Sequence, residues 1–289
     1  MSLQTNQFSV EMQSAFQHYN EHKMTLKMTT GSSDLDSLID AIQEGIFYLF
    51  YGNNSMILDA MVYRFLVNCV LPIKQKHGFK SMGVFLNNVN YYDYYSRKTS
   101  ASINPEKIGV AAKCSGIDPK IVFKNLYILT AYNQNHQLSI AEQQVTKLIE
   151  SNKEDIKLLV IHNLTRFFKD STSNKKMETA NLLKQVIGMI CKVSAKNKVA
   201  LVCTAADSNI TSSRGIIPKP LGGLYLKHAA NVIVHIKEQF GTSSFSTTST
   251  TTIPSFRATL LKHQYIKTPK TATLYIKKTG GGGGMMLLD

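Results

Sequence analysis

The chain has 289 residues, 43% of them apolar, and a formal charge of +14; its size and composition suit one large α/β domain or two small ones with a real core. Its most apolar stretch, Met56 to Leu71, is interrupted by Asp59, Arg64 and Asn68, which excludes a bilayer span of roughly 20 apolar residues. Cys69, Cys114, Cys191 and Cys203 form no C-x-x-C pair, which excludes a zinc ribbon or disulfide framework and fits a reducing, intracellular setting.

Residues 1–28 are polar, lack the apolar run of a signal peptide and predict a short lead with a helix around Val10 to His22. Ser32 and Ser33 suit a helix start, Leu35, Leu38, Ile39 and Ile42 follow at helical spacing, and Gly45 ends that helix. Ile46 to Tyr51 reads as a buried strand, leading through Gly52 into an apolar helix closed by Pro72. Strands are predicted at Met82–Leu86, Leu126–Thr130, Lys157–Ile161 and Val199–Thr204. Helices are predicted at Pro105–Cys114, Ile140–Ser151 and Met177–Ala195. Such alternation implies crossover units and a mostly parallel sheet. Val232–Lys237, Arg257–Lys262 and Thr273–Lys278 then read as an antiparallel extension on one sheet edge. The Ser/Thr run 241–252 and the five glycines 280–284 bury too little to offset ordering entropy and predict mobile segments. The organisation is a lead over 1–28, a core over 29–279 and a flexible Gly-rich tail over 280–289.

Four pieces in order carry a family resemblance. They are Thr29-Thr30-Gly31-Ser32 with Leu35, Asp36 and Leu38, then Phe50-Tyr51-Gly52 with the helix ending Cys69-Val70-Leu71-Pro72. Asn125 to Asn133 with His136-Gln137, and Pro220-Leu221-Gly222-Gly223 with Lys227-His228-Ala229, complete the set. Together they resemble the RadA branch of the RecA family, the archaeal and eukaryotic strand-exchange recombinases, from about Thr29 to Lys278. The resemblance implies a RecA-like P-loop core: α/β, with a mostly parallel central sheet flanked by helices and an antiparallel C-terminal extension.

The same frame places other residues where the family keeps its ATPase chemistry. A working P-loop, G-x-x-x-x-G-K-[ST], cradles phosphates on backbone amides, neutralises them with Lys and ligates magnesium through the hydroxyl. Counting from Gly52, the second glycine falls on Ile57, the lysine on Leu58 and the hydroxyl on Asp59. Val89 stands where the family carries the glutamate that activates water, His162 replaces the magnesium-positioning Asp, and Ala206 ends a Thr204-Ala205-Ala206 run in place of the Asn-Gln that links nucleotide to DNA loop. Phosphoryl transfer depends on positioned charge, so these replacements predict a pseudo-ATPase with no catalytic residue of the family's kind. ATP and magnesium are not expected as cofactors, with residual nucleotide binding left open. A lone histidine at a strand end is more often packed than a metal ligand, and no metal site is predicted at His162.

Single-stranded DNA is the implied partner. The family's first DNA loop falls near Arg166, Lys169, Lys175 and Lys176, and its second spans Asp207 to Pro220 with Arg214 and Lys219. Basic and hydroxyl side chains there suit phosphate contacts, against the bland reading of a solvated lysine-rich surface. Lys262, Lys267, Lys270, Lys277 and Lys278 add charge in the C-terminal strands. Tyr91, Tyr92, Tyr94 and Tyr95 suit either stacking on bases or covering a neighbouring subunit. The family's N-terminal helical domain and polymerisation motif are not expected, since about 28 residues precede the core; Phe16 is a poor candidate. The implied role is an ATP-independent paralogue in recombination and repair that binds single-stranded DNA, a RadA-type recombinase or another paralogue, with an oligomer open. The rival readings are an interaction scaffold without DNA binding, and an ATPase with substitute residues.

Overall fold

Phe47–Tyr51 (β3) is buried along its whole length. Tyr48 and Phe50 enter one core while Phe47, Leu49 and Tyr51 enter the other, as the two-residue period of a strand requires. This aromatic run is the centre of the molecule. The computed structural model describes Ser14 and residues 25–73, 78–89, 104–168, 176–208, 217–239, 254–279 and 284–287. Apart from Ser14, the expected helix around Val10 to His22 lies outside them, as do Tyr91 to Tyr95 and the run 241–252.

Lys27–Met28 (β1) pairs with Ile42–Gln43 (β2) in a small antiparallel ribbon. The main sheet adds Met82–Asn88 (β4), Leu126–Ala131 (β5), Ile156–His162 (β6), Ala200–Ala205 (β7), Val232–Gln239 (β8), Ser255–Lys262 (β9), Lys270–Thr279 (β10) and Gly284–Leu287 (β11). Its order is β11-β10-β9-β8-β3-β7-β6-β4-β5. The pairs from β8 through β3, β7, β6 and β4 to β5 are parallel, and those from β8 out to β11 are antiparallel. The expected mostly parallel sheet with an antiparallel C-terminal extension is present.

Ser33–Ile39 (α1), Ser55–Val70 (α2), Pro105–Cys114 (α3) and Pro119–Lys124 (α4) cover one face. Gln134–Ser139 (α5), Thr146–Ser151 (α6), Lys176–Lys196 (α7) and Gly223–Ala229 (α8) cover the other. Their starts follow local chemistry. Asn54, Asn104 and Asp118 accept hydrogen bonds from first-turn amides, and Pro105 and Pro119 sit at positions where a missing N–H costs nothing. Helix α2 buries every residue from Ile57 to Val70 except Arg64.

Three expectations need correction. The first helix stops at Ile39, because Asp40 and Ala41 adopt left-handed backbone (φ 59° and 61°) and release Ile42 into β2. The expected helix over Ile140–Ser151 starts earlier, at Gln134, and widens into a π segment over Ile140–Val145; there Thr146 Oγ1 donates to the Ala141 carbonyl at 3.0 Å, a reach of five residues. The tail is not flexible throughout: Gly284–Leu287 pairs with Ile276 to Thr279, and Leu287 is buried.

Candidate functional site at the C-terminal ends of the parallel strands

Strands β3, β4, β6, β7 and β8 end on one edge of the sheet, and the expected nucleotide-pocket residues gather there. Gly52 follows β3 directly. Its N–H bonds the Ala205 carbonyl at 3.2 Å, and a Cβ would collide with the Ile236 carbonyl oxygen, so only glycine fits between β7 and β8. Asn54 then caps α2 and donates from Nδ2 to Glu238 Oε2 at 2.8 Å. A carboxylate therefore faces the positive end of that helix.

Ile57 and Leu58 point into the core, 0% and 3% exposed. Asp59 is also buried, and its Oδ1 lies 3.0 Å from His162 Nε2. The other ring nitrogen, Nδ1, is 2.8 Å from Thr204 Oγ1, which also accepts the Asn163 N–H at 2.8 Å. His162 Nε2 faces the Asp59 carboxylate, and Nδ1 shares a hydrogen bond with the Thr204 hydroxyl. The chain α2–β6–β7 is thus linked by one buried polar relay. Asn88 Nδ2 ties β4 to it through the His162 carbonyl at 3.1 Å. Val89 is wholly buried, its N–H on the Ala131 carbonyl at 3.0 Å. Within α2, Tyr63 accepts the Asn104 N–H at 3.3 Å; burial above all, and then Asp59, push its hydroxyl up to about 12.

The two loops leave from neighbouring strands. After β6, the turn over 163–168 is held by Gln137 Nε2 on the Leu164 carbonyl (3.1 Å) and Gln134 Nε2 on the Phe167 carbonyl (2.6 Å). Arg166 sits in that turn, half-buried. After β7, the Ala206 carbonyl accepts the Leu221 N–H at 2.8 Å, and Ser208 N–H bonds the Lys219 carbonyl at 2.8 Å. Lys219 is exposed. Lys176 opens α7, whereas Lys169, Lys175 and Arg214 lie outside the described residues. Between α7 and the start of α8 runs a groove of about 360 Å³ lined by Phe168, Leu183, Lys184, Leu224 and Tyr225 among others, with Leu224 69% exposed.

Two of the C-terminal lysines reach helix ends. Lys262 Nζ donates to the carbonyls of Lys227, His228 and Ala230 at the end of α8, and burial lowers its pKa. Lys270 Nζ donates to Ser37 O at the end of α1. Sequence reasoning also passed over Thr204, Asn88, Asp207, His235 and Tyr51, which meet only through the ends of separate strands. Among the described residues no three His, Cys, Asp or Glu side chains converge as a metal site, all four cysteines are free thiols, and no helix is long and apolar enough to cross a membrane.

Comparison with known proteins agrees with this architecture. The chain is 28% identical over 221 residues to the DNA repair and recombination protein RadA of Ignicoccus hospitalis, covering 74% of this chain and 64% of that protein. It is 25% identical over 241 residues to the protein of the same name from Aeropyrum pernix, covering 81% and 70%. A family model described as Rad51 matches residues 21–257, and with that span of its length matched, the chain belongs to the Rad51 family.

Proposed function

We propose that this chain binds single-stranded DNA, by itself or beside a recombinase, in homologous recombination and repair, and that it does so without hydrolysing ATP. One observation carries the DNA reading. The two basic loops open from adjacent strands, and an apolar groove between α7 and α8 borders their described ends, with Tyr225 exposed on it. Phosphates take the basic side chains, while Tyr225 offers a face on which a base stacks without sequence readout. That the relatives are DNA repair and recombination proteins supports the same reading.

The absence of hydrolysis is supported by the fit of the residues. A magnesium nucleotide needs positive charge at the mouth of α2, and that mouth carries Glu238, with Leu58 turned into the core. The hydroxyl-to-magnesium-to-carboxylate link of a P-loop enzyme has its place taken by the direct Asp59–His162 contact. Leu58, Val89 and Ala206 offer neither charge nor a proton acceptor for a phosphoryl transfer.

The test is anisotropy of a fluorescent single-stranded oligonucleotide over a salt series, with and without Mg-ATP. Binding that weakens with salt and ignores ATP is expected. Its absence at low salt ends the DNA reading and leaves the interaction scaffold, which the sheet's other end favours: β5 is the last strand in the order, with Tyr127 and Ile128 exposed on it.

A further inference from the structure

The base of the second loop is tied down by three side chains that no part of the proposed DNA contact uses. Tyr51, at the end of β3 and 1% exposed, donates its hydroxyl to the Pro218 carbonyl at 2.9 Å. Its ring lies against His235 of β8, with centroids 4.9 Å apart. His235 Nε2 in turn faces Asp207 Oδ1 at 3.5 Å. His235 and Asp207 are 3% and 7% exposed, and neither atom has a hydrogen-bond partner, so the two are in contact without being hydrogen-bonded. Asp207 itself bridges Pro220 across the loop stem.

Burying a histidine and a carboxylate with so little other company costs stability. A position that served packing alone would be better filled by apolar side chains. What the arrangement achieves is attachment: the first and last residues of the loop are fixed to β3, β7 and β8, adjacent strands in the middle of the sheet. The resemblance places a nucleotide-to-loop link at Ala205 and Ala206, whose methyl groups can make none. Burial, and then the Asp207 carboxylate, raise the Tyr51 pKa, so its hydroxyl stays a donor across the physiological range.

We propose that Tyr51, His235 and Asp207 are positioning residues that hold the stem of the second loop in one arrangement without nucleotide. The anchor is argued from the stem alone; its consequence for DNA rests on the function proposed above. Hydrogen exchange of the full chain tests it. In Tyr51→Phe, and in His235→Gln as a second variant, the amides of 206–208, Lys219 and Leu221 are expected to exchange faster, about tenfold in Tyr51→Phe, the effect of one lost hydrogen bond at the upper end of its range. Amides of 47–50 are expected to keep their protection, and Mg-ATP to alter none of them in the wild type. Unchanged stem exchange in both variants, or protection of the stem by Mg-ATP in the wild type, overturns the proposal. Oligonucleotide affinity separates the two ideas. A stem that loosens while affinity falls about three- to tenfold supports both. A stem that loosens with affinity unmoved, or in a chain that binds no DNA, upholds the anchor and overturns the DNA reading of this loop.

Discussion

Asp59 and His162 are each a replacement when taken singly, a carboxylate where a hydroxyl is expected and an imidazole where a carboxylate is expected. In space they are complementary, 3.0 Å apart, with Thr204 behind the ring. A buried pair of this kind adds little net stability over apolar side chains, yet removing one member leaves the other unpartnered. Asp59→Ala is therefore expected to lower unfolding free energy by about 3 kcal/mol. In a double-mutant cycle with His162→Ala, urea denaturation should give a coupling of about 1 to 3 kcal/mol. Near-additive losses would mean that the two residues do not act as a unit. Spacing along the chain singled out both residues, whereas their pairing was not legible, since 103 positions separate residues 59 and 162.

Among the elements, the strands were the most legible. Continuous apolar runs in a crossover pattern leave few alternatives to buried parallel strands, and β3, β6 and β7 fall within a residue or two of their predicted ends. Helix α3 was read to the residue because Asn104 and Pro105 mark its start so plainly. The π segment at Ile140–Val145 was hidden, since an apolar period cannot distinguish a four-residue reach from a five-residue one. β11 was hidden for a different reason: glycine content predicts disorder, and the contact that orders Gly284–Leu287 belongs to β10 and the core behind it. Leu287→Ala, removing a side chain 2% exposed, is expected to cost about 2 kcal/mol or more, read as a lowered midpoint in thermal or urea unfolding. A variant as stable as the wild type would show that β11 contributes nothing to the core.

At the scale of the whole molecule, the charge of +14 is not spread evenly in its use. Lys262 is turned onto the end of α8, so the count of lysines overstates what faces a polyanion. Contacts with single strands release counterions, and the logarithm of affinity falls by roughly 0.7 per neutralised phosphate for each unit of log salt. Changing Lys175 and Arg214 together to Ala should flatten that slope by about 1.4 if each meets one phosphate. An unchanged slope would assign the binding to other surfaces.

The sequence by itself determined the fold class, through hydrophobic periodicity, and the family, through runs of adjacent residues that resemble it. Counting from Gly52 also singled out Ile57, Leu58 and Asp59. Only the tertiary structure decided what those side chains meet. The Asp59–His162–Thr204 relay, the Glu238 carboxylate at the mouth of α2 and the Tyr51–His235–Asp207 anchor join residues from different strands and helices. Their energies depend on distance and burial, which exist only once β3, β6, β7 and β8 have been brought side by side.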